Sequence, residues 1–155
     1  MSDQTNIEVK IVRLPHGRDL PLPQYQSALA AGLDLYAAVP EAAPVEIAPG
    51  GRATIPTGVA IALPPGSEGQ IRPRSGLAAR HGVTILNSPG TIDADYRGEI
   101  QVILVNIGAD SFAVRRGMRV AQLVIASIQH AKLVESNSLD STERAAGGLG
   151  STGMQ

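Results

Sequence analysis

The stretch EIQVILVN, residues 99–106, shows the period on which the chain is built. Ile100, Val102 and Leu104 alternate with Gln101, Ile103 and Val105, and side chains two apart on an extended strand share a face. Both faces are largely apolar, so this strand is expected at the centre of a sheet. The same period recurs in IEVKI, where Ile7, Val9 and Ile11 share a face, and in VAIAL, where Val59, Ile61 and Leu63 do. Further strands are expected at 33–37, 45–47, 69–72, 83–86 and 120–128, separated by the breakers PEAAP, APGG and LPPGSEG. Many short strands with frequent turns point to an all-β chain, an antiparallel sandwich, jelly roll or barrel. One segment, SGLAARHG at 75–82, reads as a short helix of about two turns, with Ser75 as its cap and Gly82 as its stop.

Composition narrows the function classes. A chain of 155 residues suits one domain with a real core. Its 13 Lys and Arg against 14 Asp and Glu are scattered, leaving no basic arm or stripe, so no stable nucleic-acid partner is expected. Without cysteine there is neither a disulfide framework nor a thiolate metal site, and three separated histidines do not make a zinc centre. The opening MSDQTNIEVK has no signal pattern, and no apolar run approaches a membrane span of about 20 residues. A cytoplasmic protein with no membrane partner is the expectation. Residues 1–135 read as the β domain, and residues 136–155, polar and glycine-rich, as a flexible C-terminal arm.

Three segments carry chemistry. The arm ends in GGLGSTG, where glycines let successive backbone amides converge on an anion and Ser151 and Thr152 add hydroxyl donors. It is not a Walker loop, because no lysine follows and no strand precedes it. Taken alone, it reads equally as a solvated terminus. In RPRSGLAAR, Arg74 offers a planar fork suited to phosphate, while Ser75 and Gly76 stand where a helix start exposes free amides. Taken alone, this is also an ordinary capped helix beside a surface arginine. In TIDADYRGEI, residues 91–100, Asp93 and Asp95 share a side if the backbone is extended. The plain alternative is a solvated hairpin tip with Arg97 paired to one of the acids. Together, two anion-suited loops and a candidate general base make a set able to cleave a phosphoanhydride.

Five motifs in order resemble the homotrimeric deoxyuridine triphosphatase (dUTPase) family: AGLDLYAA from Ala31, PRSGLA from Pro73, NSPGTIDADYRGEI from Asn87, RRGMRVAQL from Arg115 and RAAGGLGSTG from Arg144. The resemblance implies a jelly-roll-like subunit and a trimer whose sites are each built from three chains. It also implies Mg²⁺-assisted hydrolysis of dUTP to dUMP and pyrophosphate, which removes dUTP and supplies dUMP for thymidylate synthesis.

Residue by residue, the resemblance makes Asp93 the base that activates the attacking water, a task suited to a carboxylate, and leaves Asp95 structural. It sets Tyr96 against the deoxyribose, where a 2′-hydroxyl would collide. Asn87, whose amide can both donate and accept, would read uracil together with the hairpin backbone at Thr91, Ile92 and Asp93 and with Gln101. Arg74, Ser75 and Gly76 would hold phosphates near the scissile bond, with Gln122 close to them or to the waters of the metal. Asp34 would anchor the arginine and reach hydrated Mg²⁺ only through water. Arg144 and the loop at 147–152, including Leu149, Gly150, Ser151 and Thr152, would close over the β- and γ-phosphates from a neighbouring subunit.

Two positions depart from the family pattern. Leu149 stands where phenylalanine is usual, and Ala145 where glycine is usual. Leucine covers a base without the aromatic contact worth about 0.5–1.5 kcal/mol, which implies weaker closure. The related deoxycytidine triphosphate deaminases would require a glutamate in RSGLAARHG, and none is present. A nucleotide-binding protein without turnover is the other alternative, against which the intact Asp93 speaks.

Overall fold

The structure, a computed structural model, describes residues 7–148. Twelve strands and one short helix are present among them. In chain order the strands are β1 (Lys10–Arg13), β2 (Gln24–Tyr25), β3 (Leu33–Tyr36), β4 (Val45–Ile47), β5 (Arg52–Pro56), β6 (Val59–Ala62) and β7 (Ser67–Arg72). Helix α1 (Ser75–His81) follows, then β8 (Val83–Ile85), β9 (Gly90–Ile92), β10 (Gln101–Asn106), β11 (Phe112–Val114) and β12 (Arg119–Ser127). A single 3-10 turn occupies Pro15–Gly17.

All pairings are antiparallel. The largest sheet has the order β2-β3-β12-β7-β9, and β5-β10-β8 forms a three-stranded sheet. Strand β1 pairs with β6, and β11 with β4. The fold is the expected all-β, jelly-roll-like one. As its two apolar faces predict, β10 is the central strand of its sheet, with Val102 opposite Ile55 and Leu104 opposite Ile85. Ile100, Val102 and Leu104 are buried in the core with Leu35, Ile47, Ile55, Val83, Val114 and Val120. Each such aliphatic side chain contributes roughly 1.5–3 kcal/mol by leaving water. Asn106 closes β10 from a fully buried position, its Nδ2 donating to the carbonyls of Ile47 and Asp110 at 2.8 Å and its Oδ1 accepting the Gly108 amide at 2.9 Å.

Local signals locate most elements, with specific exceptions. Gly82 does end α1, with φ 65° and its amide bonded to Ala78, a left-handed conformation that glycine takes without steric cost. Ser75, expected as the cap, is instead the first helical residue; Arg74 holds the cap position in extended conformation, and no side chain caps the helix. Ile7 lies before β1 and is half exposed rather than sharing a strand face with Val9 and Ile11. The short strands β2, β5 and β11 carry no legible period. In RATIP only Ile55 is buried, and its last residue is a proline. Beyond Ser127 the described chain has no further strand or helix and is exposed through Ala146.

Candidate active site

Asp34 lies in the middle of the largest sheet, on β3, and is 7% exposed. A buried carboxylate requires partners, and it has two: Arg119 donates from Nη1 to Oδ2 at 2.9 Å, and the Nε of Arg74 lies 3.3 Å from Oδ1. Arg74 also donates from Nη1 to the Arg119 carbonyl at 3.1 Å. The two guanidiniums are thus braced side by side, with the remaining donors free to meet an anion.

Arg119 and Gln122 are three residues apart, so strict strand alternation would put them on opposite faces. A bulge corrects this. In the β3–β12 ladder Arg119 pairs with Tyr36 while Ala121 pairs with the next residue back, Leu35, leaving Val120 as the extra residue. Val120 and Ala121 both enter the core, and Arg119 and Gln122 both line the pocket over Asp34, an example of a bulge re-aiming side chains. Gln122 is held there by donating from Nε2 to the Pro73 carbonyl at 3.0 Å.

This pocket of about 410 Å³ is lined by Asp34, Arg74, Ser75, Gly76, Arg119 and Gln122, with residues of the 26–32 loop as its rim. Ser75 and Gly76 begin α1, and the first amides of a helix have no intrahelical acceptor. Arginine forks, free amides and a side-chain amide converge there, a donor set matched to phosphate oxygens. The structure therefore brings together five of the residues singled out in the sequence and adds Arg119. Its signal was its place in RRGMRVAQL, but the period of two pointed it away from Gln122.

Asp93 lies elsewhere on the chain. It follows β9, and its carbonyl accepts the Tyr96 amide at 3.1 Å, so 93–96 is a turn rather than a continued strand. Asp93, Asp95 and Thr91 line a second pocket of about 720 Å³ together with Glu68 and His130. The pairing Gly69↔Ile92 sets Asp93 level with Glu68. Arg74 is six residues further along the β7 direction, about 20 Å away at roughly 3.3 Å per residue. One chain does not bring Asp93 to Arg74.

The remaining candidates ride on the same hairpin. Asn87 is exposed in the turn before β9, and Gln101 is exposed at the start of β10. Tyr96 is 44% exposed and donates from its hydroxyl to the Glu99 carbonyl at 3.0 Å. Neither Asn87, Tyr96 nor Gln101 lines the Asp93 pocket. Arg97 pairs with neither acid; it donates to the carbonyls of Ala94 and Tyr96, at 2.6 and 2.9 Å, and so closes its own turn. Arg144 is exposed and donates from Nε to the Gly147 carbonyl at 3.0 Å. Leu149, Gly150, Ser151 and Thr152 lie outside the described residues.

Comparison with known proteins bears directly on this arrangement. A model of the dUTPase family matches residues 18–153. The deoxyuridine 5'-triphosphate nucleotidohydrolase of Methylocella silvestris is 57% identical over 153 residues, spanning 99% of this chain and 94% of that protein. In fold, a mutant dUTPase of Staphylococcus bacteriophage 80alpha with dUpNHpp has a TM-score of 0.84 at 24% identity, covering 96% of this chain and 99% of that one. A mutant dUTPase of phage phi11 of S. aureus, described as coordinating a structural Mg(II) ion, has a TM-score of 0.76 at 22% identity, covering 87% and 100%. With the family match running through the Asp34 anion pocket and the Asp93 hairpin alike, this chain belongs to the dUTPase family.

Proposed function

We propose that the chain hydrolyses dUTP to dUMP and pyrophosphate, with Asp93 orienting and deprotonating the attacking water. The observation that carries this reading is the Asp34-braced pair Arg74 and Arg119 beside the free amides of α1, a cradle for the phosphates of a nucleotide. The water oxygen bonds to the α-phosphorus, the bond to the bridging oxygen breaks, pyrophosphate departs and the proton passes to Asp93. Such base assistance contributes about 10²–10⁴-fold. Arg74, Ser75, Gly76 and Gln122 hold the phosphates. Asn87, Gln101 and the backbone at 91–93 read uracil, and Tyr96 lies against the deoxyribose. Arg144 and the loop at 147–152, on the arm formed by 136–155, cover the β- and γ-phosphates.

The site is assembled from more than one copy of the chain. The distance along β7 between Asp93 and Arg74 supports this, since a base that far from the phosphates cannot act on them within one subunit. A homotrimer with shared sites satisfies the requirement.

Mg²⁺ fits as an ion carried by the substrate. Asp34 already has both oxygens engaged by arginines, and among the described residues no group of three acidic or histidine side chains could hold an ion. Phosphate oxygens and water would ligate it, as suits Mg²⁺, with Asp34 reaching it through water. When bound, it neutralises charge on the triphosphate. No helix among the described residues is long and apolar enough to cross a membrane, and we place the enzyme in the cytoplasm.

The experiment is a comparison of dUTP, dCTP, dTTP and UTP as substrates, each with and without Mg²⁺, following pyrophosphate release. Preferential, Mg²⁺-dependent release from dUTP is expected. Equal turnover of all four would remove the uracil and deoxyribose assignments.

A further inference from the structure

Tyr96 has an exposed ring, and its position is set by the backbone beside it rather than by the core. The ring lies directly over Gly98: a Cβ there would sit 2.6 Å from the ring Cζ and 3.0 Å from Cε2, so no other residue fits beneath it unless the ring moves. The phenol then bonds the Glu99 carbonyl at 3.0 Å. What holds Glu99 therefore holds Tyr96.

Glu99 is held from outside the hairpin. Its Oε1 accepts the Gly58 amide at 2.7 Å and the His16 Nε2–H at 2.7 Å. An ionised carboxylate only accepts, so the Nε2 of His16 is the donor. The next residue is fixed as well, with Thr57 Oγ1 donating to the Ile100 carbonyl at 2.6 Å and the Ile100 amide donating to Val59 at 2.9 Å. His16 belongs to the 3-10 turn, and its own carbonyl accepts Arg116 Nη2 at 2.7 Å. A chain of contacts thus runs from Arg116 through His16 and Glu99 to Tyr96.

We infer that Glu99, held by His16 and Gly58, is a positioning residue for Tyr96 and thereby sets how strongly the enzyme prefers deoxyribo- over ribonucleotide. This rests on the reading that Tyr96 lies against the deoxyribose. Exclusion of a single hydroxyl by a ring edge depends on where that edge stands, and small displacements of a positioning group have large kinetic effects. Glu99 touches no reacting atom; it acts through the aromatic ring.

The test measures kcat and KM for dUTP and UTP on the full-length protein and its variants, with a thermal unfolding curve for each. Tyr96→Ala examines the underlying reading and is expected to raise the UTP-to-dUTP ratio of kcat/KM most. Glu99→Ala should raise that ratio about tenfold, mainly through KM, within the range that single contacts give to discrimination. Glu99→Gln keeps an acceptor for Gly58 and His16 and should stay within about twofold of the parent. His16→Ala, at a half-exposed side chain, should relax the ratio about threefold and serves as the deciding variant if Glu99→Ala does not fold. Relaxation in Tyr96→Ala combined with a parental ratio in folded Glu99→Ala and His16→Ala would overturn the positioning role while sparing the Tyr96 assignment. A parental ratio in Tyr96→Ala itself would remove that assignment and the positioning role with it.

Discussion

Asp34 and Arg119 form a 2.9 Å ion pair across the β3–β12 ladder at the point where that ladder bulges. The pair joins a buried carboxylate to a partly exposed guanidinium, and Arg74 completes it from the other side. Asp34 thereby sets the direction of both cations that face the pocket.

Arg119→Ala should raise the KM for dUTP and lower kcat/KM about tenfold or more, since a charge-assisted contact to phosphate is worth about 1.5–3 kcal/mol. Asp34→Asn should lower kcat/KM further, because both arginines lose their anchor. Steady-state kinetics on the two variants checks the order. An Arg119→Ala enzyme with parental KM would show that this guanidinium serves the fold alone.

Asp93→Asn should retain dUTP binding and lose at least about 100-fold in turnover, the lower bound for a general base. Asp95→Asn should cost far less. Binding by calorimetry, set beside turnover, separates the two effects, and equal losses in both variants would contradict the assignment.

Chains carrying Asp93→Asn and chains carrying Arg74→Ala should each be inactive alone and recover part of the activity when refolded together. Mixed assemblies would contain sites with both residues intact. The absence of any recovery in verified mixed oligomers would mean that the two residues serve the same chain's site.

Truncation after Glu143 should leave the thermal midpoint within a few degrees of the parent, because residues 127–146 are exposed and contribute little burial. Hydrolysis should nevertheless fall severely as Arg144 and the glycine-rich loop are lost. Leu149→Phe should improve kcat/KM several-fold, an aromatic contact being worth on the order of 1 kcal/mol. Full activity in the truncated chain would reduce the arm to a solvated terminus.

Acid stability should depend on Asp19. Its hydrogen bond to Arg116, which donates from Nε at 3.2 Å and also from Nη2, holds the Asp19 carboxyl below its usual range. A carboxylate with a depressed pKa in the folded state stabilises fully above its unfolded value, near 3.8, and that contribution is lost as pH falls through the folded value. Thermal midpoints of the parent should therefore drop below about pH 4 more steeply than those of Asp19→Asn. Parallel curves for the two proteins would remove Asp19 from the acid transition.

The alternation of Ile100, Val102 and Leu104, the stop at Gly82 and the order of five motifs were legible in the sequence because each is a local property: side-chain period, backbone freedom, neighbouring residue types. The burial of β10 and the all-β architecture followed from them. Tertiary structure alone decided the rest. The period of two sets Arg119 and Gln122 on opposite faces, and only a one-residue bulge against β3 turns both toward Asp34. Glu99 meets His16 across 83 residues, and the pairing of β7 with β9 carries Asp93 away from Arg74. Such relationships depend on which distant strands pair and in what register, and a register is chosen by the whole core rather than by any segment within it.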